Sequence, residues 1–245
     1  MSWIRPGIRR SLLAVFASVM LVAAGCGGGS DNHREFQPWQ AEGLWSGTTS
    51  TGTFDGVILD TGEYWFIYGS GGTARSVVHG NGYFNRGRFV SDDGADYVFG
   101  YDRPFATTLA AVVEPEFSIN GEVYLERRRE AFSVGFVPEY RFGANPAAIV
   151  GRSIGSGSTL LSSGDFVIDI DPFGTFTASL AGSCQYGGRI LPNRNGRNVF
   201  DITMSSLPSC PFLYSASGVA VFASGRLVIT AVTPDRRDVF YAVAQ

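Results

Sequence analysis

Period-two alternation, broken at short intervals by turn residues, most limits what this chain can fold into. Residues 175–180 put Phe176, Ala178 and Leu180 on one face and Thr175, Thr177 and Ser179 on the other. Residues 199–204 do the same, with Phe200, Ile202 and Met204 opposite Val199, Asp201 and Thr203. Such alternation marks an antiparallel strand with one buried face. Turn clusters punctuate these runs: Asp60-Thr61-Gly62, Asp92-Asp93-Gly94, Asp171-Pro172-Phe173-Gly174, Asn193-Arg194-Asn195-Gly196 and Pro234-Asp235. A spacing of roughly 8–12 residues predicts an all-β meander that closes into a barrel or packs as a sandwich. No amphipathic helix of convincing length is present. With 19 Phe, 10 Tyr and only 17% charged residues, the chain is also excluded from the disordered, coiled-coil and collagen-like classes.

Alternation lapses over residues 139–149, where Pro, Gly and small residues gather. This divides the chain into an N-terminal β-domain at 41–138, a linker at 139–148 and a C-terminal β-barrel-like domain at 149–245. Each half is about 100 residues, enough for one small barrel or sandwich. The openings of the two halves are loosely alike, Gly43-Leu44-Trp45-Ser46-Gly47 against Val150-Gly151-Arg152-Ser153-Ile154-Gly155.

The first 25 residues read as a signal peptide. Arg5, Arg9 and Arg10 precede an apolar and small-residue run from Ser11 to Ala24 that is too short for a permanent span. Ala23-Ala24-Gly25-Cys26 resembles the bacterial lipobox, with Ala23 where Leu is preferred. That resemblance implies lipidation of Cys26; ordinary cleavage after the small residues is the alternative. Residues 26–40 then form a lipidated Cys and flexible tether, opening Gly27-Gly28-Gly29-Ser30. The same resemblance implies, from Gly27 rather than Asp after the Cys, the outer membrane of a Gram-negative cell, with the domain on its periplasmic face or at the cell surface.

With Cys26 acylated, Cys184 and Cys210 remain, and an even remainder in an exported chain most often pairs. A disulfide would close a loop of about 25 residues and stabilise by ~3 kcal/mol on the chain-entropy model. Two buried thiols are the other reading. Neither Cys lies in a Cys-x-x-Cys pair or near a His, which argues against metal binding or catalysis.

All 19 basic residues are Arg. Without Lys the chain can be neither a P-loop NTPase nor a Schiff-base enzyme. Removing the three leader arginines leaves 16 Arg against 22 acids, a net charge of −6. An acidic chain whose one basic run, Arg127-Arg128-Arg129, is closed at both ends by Glu is a poor partner for nucleic acid.

Catalytic signals are sparse. Gly151-Arg152-Ser153-Ile154-Gly155 matches the Gly-x-Ser-x-Gly nucleophile elbow, but no helix start follows it and no His lies beyond His79 to serve as base. His33 and His79 are too far apart and too isolated to suggest a metal site. Residues 92–96 and 169–174 carry Asp and Gly as half of a calcium loop does, and hairpin turns explain both more simply. No catalytic residue, metal or cofactor is expected.

Tyr64, Trp65, Phe66, Ile67 and Tyr68 form the densest aromatic run. On a strand, Tyr64, Phe66 and Tyr68 face one way, with Trp65 and Ile67 facing the other. In a closed barrel one of these faces would be exposed as a binding surface for a partner; in a sandwich both would be covered.

Gly43-Leu44-Trp45-Ser46-Gly47, Gly62-Glu63-Tyr64-Trp65, the lipobox and the Cys-bearing second half together resemble proteobacterial lipoproteins of Burkholderia-type genomes. In layout these are similar to two-part β-barrel surface lipoproteins of the transferrin-binding-protein-like and factor-H-binding-like kinds. The resemblance implies a lipid-anchored, non-enzymatic module that binds an envelope or host protein. The alternative is a lipocalin-like periplasmic carrier with a small apolar ligand inside a barrel.

Overall fold

The computed structural model describes residues 37–125, 128–182, 184–206 and 215–245. The signal peptide, Cys26, most of the tether, Arg127 and Cys210 lie outside the described residues.

The alternating segments form an all-β protein of two eight-stranded antiparallel barrels. The first is built from β1 (Gly43–Thr49), β2 (Thr53–Ile58), β3 (Glu63–Ser70), β4 (Thr73–Asn81), β5 (Tyr83–Asn85), β6 (Arg88–Val98), β7 (Phe105–Glu114), β8 (Ser118–Leu125) and β9 (Arg128–Phe136). Each strand pairs with the next around the meander except at β4, which pairs with β6 and not with β5, and β9 pairs with β1, so that the eight strands β1 to β4 and β6 to β9 close the barrel. The short β5 pairs only with the beginning of β6. Between β4 and β5 the chain breaks at Gly82, where an added Cβ would lie 2.0 Å from the ring of Phe89. That ring is fully buried in the core of the barrel.

The second barrel comprises β10 (Gly151–Ser158), β11 (Ser163–Ile170), β12 (Thr175–Leu180), β13 (Cys184–Pro192), β14 (Phe200–Ser206), β15 (Ser215–Ala223), β16 (Arg226–Val232) and β17 (Val239–Ala244). It closes where β17 returns to β10. Both closures use the same device. Gly47 on β1 pairs with Val134 of β9, and Gly155 on β10 pairs with Ala244 of β17. A Cβ at Gly47 would stand 2.2 Å from the Ser133 carbonyl oxygen, and one at Gly155 would stand 1.8 Å from that of Val243. The first and last strands approach this closely only because a side chain is missing.

One predicted turn is a correction. Asp92-Asp93-Gly94 lies inside β6 as a bulge, where the pairing with β7 shifts between Ser91 and Gly94. The extra residues re-aim the strand, which leaves β5 and takes up β4. The other four turn clusters fall between strands.

Eight strands enclose an interior that side chains can just fill. In the first barrel Trp45, Phe54, Tyr64, Phe66, Phe89 and Phe132 do so, with Phe54 stacked on Phe132 at 4.7 Å between centroids. The second is filled by Phe166, Ile168, Phe176, Tyr186, Phe200 and Phe240 among others. A lipocalin-like ligand inside either barrel would have to displace these side chains, so the structure does not support that site.

A third apolar cluster lies between the barrels. Val57, Trp65, Val77 and Tyr97 on the outside of the first pack with Val219, Val221, Val232 and Val239 on the outside of the second. The described residues from 37 onward accordingly belong to one compact unit. The segment predicted as a linker contains two short 3-10 turns, Pro138–Arg141 and Pro146–Ala148, and Tyr140 within it is buried in this third cluster.

Candidate functional site

The aromatic run proposed as a binding face is covered on both sides. Tyr64, Phe66 and Tyr68 point into the first barrel, and Trp65 is 1% exposed on its outer surface. The barrel is closed, yet the outer face is not available to a partner. The second barrel occupies it. Strands apolar on both faces become buried on both faces.

Polar contacts fasten this junction at three points. Near the chain entrance, Tyr140 donates its hydroxyl to Glu42 Oε1 at 2.9 Å, and Asn195 Nδ2 reaches the same oxygen at 3.3 Å. Arg197 Nε completes the group at 3.4 Å from it. Burial, reinforced by the Glu42 carboxylate, pushes the Tyr140 phenol far above its ordinary range. At the second point, Arg236 of the β16–β17 hairpin donates from Nη2 to the carbonyl oxygens of Asp93 (2.7 Å) and His79 (3.1 Å). Tyr97 returns a bond from its hydroxyl to the Arg236 carbonyl at 3.1 Å. Partial burial works against ionised Asp93, but bonds from Asn81 and Ser91 and the charge of Arg236 outweigh it and hold the carboxyl below its usual value. At the third point, Asp238 Oδ1 accepts from the amides of Leu160 and Val239, and the Leu160 carbonyl accepts from Gly100 of the first barrel. Burial raises the Asp238 pKa despite those bonds.

Three cavities adjoin these features. The largest, about 430 Å³, opens between the barrels, walled by β1 to β4 on one side and β15 to β17 on the other. A second, about 400 Å³, lies further along the junction beside Glu63, His79, Thr203 and Arg236. There His79 Nε2 sits 3.0 Å from Glu63 Oε1, and its ring lies against Trp65 at 4.0 Å. The third, about 210 Å³, is at the mouth of the first barrel, where buried Glu130 accepts a bond from Thr51. Among the described residues no group of three or more His, Cys, Asp or Glu is placed to hold a metal.

The remaining candidates fall apart in space. Ser153 and its Gly-x-Ser-x-Gly word form a regular strand, β10, paired along its length with β11; no helix follows. The second of these glycines is needed for barrel closure. Cys184 opens β13 and packs against the second core, while its proposed partner Cys210 is outside the described residues. The Asp171 carboxylate accepts from the amides of Phe173 and Thr175, so it serves a hairpin turn.

The sequence reading missed the junction. Its signal was present: 219–221 and 227–232 are apolar almost without interruption, as only doubly covered strands are.

No family model and no curated protein matches the chain. Among solved structures, a protein of unknown function from the DUF3598 family of Nostoc punctiforme is similar over 86% of this chain and 99% of its own, at 11% identity and a TM-score of 0.30. Isotype 1 transferrin binding protein B from serogroup B Neisseria meningitidis is similar over 78% of this chain, at 8% identity and a TM-score of 0.31. The match spans 57% of that protein's length. Likenesses this distant carry no argument about activity, ligand or partner.

Proposed function

We propose that the protein is a lipid-anchored, non-enzymatic binding module of the outer membrane, held by acylated Cys26 and presenting its two-barrel body to an envelope or host protein. The observation that carries this reading is a pair of exposed rings on a rigid frame. Phe117, in the β7–β8 turn, is 71% exposed, and Phe142, after the first interbarrel 3-10 turn, is 67% exposed. Each directly follows one member of the ion pair between Glu116 and Arg141, joined at 2.7 Å, so both rings leave the surface at neighbouring points. Aromatic side chains held at fixed positions and rimmed by charge are what protein interfaces use as anchors. The Cys184–Cys210 disulfide belongs to this proposal as a staple of the second barrel.

The test has two readouts in a Gram-negative host. Cys26→Ala should move the protein out of the membrane fraction; retention there would remove the anchor. A photo-crosslinking amino acid placed at position 117 should give one discrete adduct on intact cells, lost when Phe142 is changed to Ser. Absence of any adduct would sink the protein-binding reading while leaving the anchor standing.

A further inference from the structure

The cleft between the barrels has features that a mere packing gap lacks. Its 430 Å³ falls in the range of small-molecule sites, about 300–1,000 Å³. The larger part of its wall is apolar, with Val219, Val221, Val228 and Val243 of the second barrel facing Trp65 and Ile67 of the first. A few polar groups enter the lining, as in ligand pockets generally.

Those polar groups are unequally satisfied. Asp55, from the first barrel, already accepts the Ser46 hydroxyl at 2.6 Å. Arg226, exposed to solvent at the start of β16, has no hydrogen-bond or ion-pair partner among the described residues, and neither has the hydroxyl of Tyr241. The indole Nε1–H of Trp65 is buried and has no acceptor. The lining therefore offers donors that a ligand's acceptor oxygens can meet, with the Arg226 guanidinium free of any carboxylate partner among the described residues. A buried donor left unmet costs free energy that a ligand acceptor recovers. Asp55 and Arg226 both lie close enough to Tyr241 to act on its ionisation, in opposite directions, so all three groups share one neighbourhood.

We infer that this cleft binds a free long-chain aliphatic monocarboxylate, its chain along the valine wall and its carboxylate at Arg226. The site is independent of any protein partner at Phe117 and Phe142, and it lies outside both barrel interiors. Asp55 repels a carboxylate from its own side of the cleft and so sets the ligand's direction. A cationic amphiphile gains nothing at Arg226, and Asp55 is already engaged by the Ser46 hydroxyl, so it binds more weakly than the carboxylate.

The test uses the purified protein with dodecanoate, tetradecanoate, methyl dodecanoate and dodecyltrimethylammonium as probes, followed by calorimetry and by quenching of tryptophan emission with bromododecanoate. Tetradecanoate should bind more tightly than dodecanoate, by roughly fourfold per added methylene. Arg226→Ala should weaken the carboxylates about tenfold and leave the methyl ester unchanged. Val228→Trp, a half-buried wall position away from both cores, should abolish binding of all probes while the melting temperature holds. The inference is overturned by absence of saturable quenching, by equal affinity for the ammonium amphiphile, or by an Arg226→Ala loss as large for the ester as for the acid. Undiminished binding to folded Val228→Trp places the ligand elsewhere and also overturns it. Should Val228→Trp fail to fold, the comparison of acid and ester in Arg226→Ala decides alone.

Discussion

Arg236 donates to the backbone carbonyl of Asp93 at 2.7 Å, and its guanidinium also lies 3.5 Å from the Asp93 carboxylate, so one side chain from the last hairpin of the second barrel holds the bulge of the first. Both ends have unusual backbone. Arg236 has a φ of +55°, in the left-handed region, and Asp93 sits where β6 changes partner. The bulge turns its carbonyl toward the neighbouring barrel instead of into a ladder.

Removing this arginine tests whether the barrels stabilise one another. Arg236→Ala leaves the carbonyls of Asp93 and His79 without their charged donor, and bonds of this kind contribute about 1.5–3 kcal/mol. Urea denaturation should show an unfolding free energy lowered by that amount, seen as a lower midpoint at an unchanged slope. Arg236→Lys should recover only part of it, because an ammonium does not reproduce the planar fork. An unchanged midpoint in Arg236→Ala would mean that the apolar cluster alone joins the barrels.

Asp238 makes a prediction in pH. Its folded-state pKa is raised above the ordinary 3.8 by burial. The folded form therefore takes up a proton more readily than the unfolded one, and the ionised side chain is a liability above the raised value. Asp238→Asn should be more stable than wild type at neutral pH. The advantage should shrink as pH falls through the raised pKa and be gone below 3.8. Parallel stability curves for the two proteins would contradict this.

The phenol of Tyr64 sets an alkaline limit. Burial pushes its pKa up to about 12, against an ordinary 10.0, even though its hydroxyl lies 3.0 Å from Ser91 Oγ. Stability from keeping it neutral is complete below pH 10 and is lost as pH rises through about 12. Tyr64→Phe should shift the midpoint of alkaline unfolding to higher pH, followed by circular dichroism. Tyr186, pushed to about 12 by burial with the Asp238 charge as a second cause, should contribute in the same direction.

The closure glycines make a prediction with an internal control. A methyl group at Gly155 would stand 1.8 Å from a backbone oxygen that cannot yield without moving β17. Gly155→Ala and Gly47→Ala should each destabilise by about 1–3 kcal/mol, the usual cost of overpacking. Gly135→Ala, on β9 with nothing within 4 Å of the added atom, should be close to neutral. Equal effects at all three positions would mean that lost chain flexibility, and not strand approach, governs the outcome.

Much of the fold is written in local pattern. Thr175–Leu180 is a strand with the faces its alternation implies, because an isolated pleated segment already sorts its side chains by side. Four of the five turn clusters sit between strands, since Asp, Asn, Gly and Pro act on the few residues around them. The exception, Asp92-Asp93-Gly94, has turn chemistry but lies in a long strand held by β4, β5 and β7, whose pairing overrides the local preference.

The candidate site was less legible. Alternation told that Trp65 and Tyr64 face opposite ways, and aromatic content told that at least one of those faces is core. Neither could tell what covers the other, because burial of Trp65 depends on Val219 and Val221, more than 150 residues away. Strand pattern is a property of neighbours along the chain, whereas the junction and its cleft are properties of two closed surfaces brought together. The sequence therefore specifies strands, turns and an all-β class through local sterics and amphipathicity. The closure of each barrel, the covering of Trp65 and the placing of Arg226 over an apolar cleft arise from packing between parts of the chain that no local signal connects.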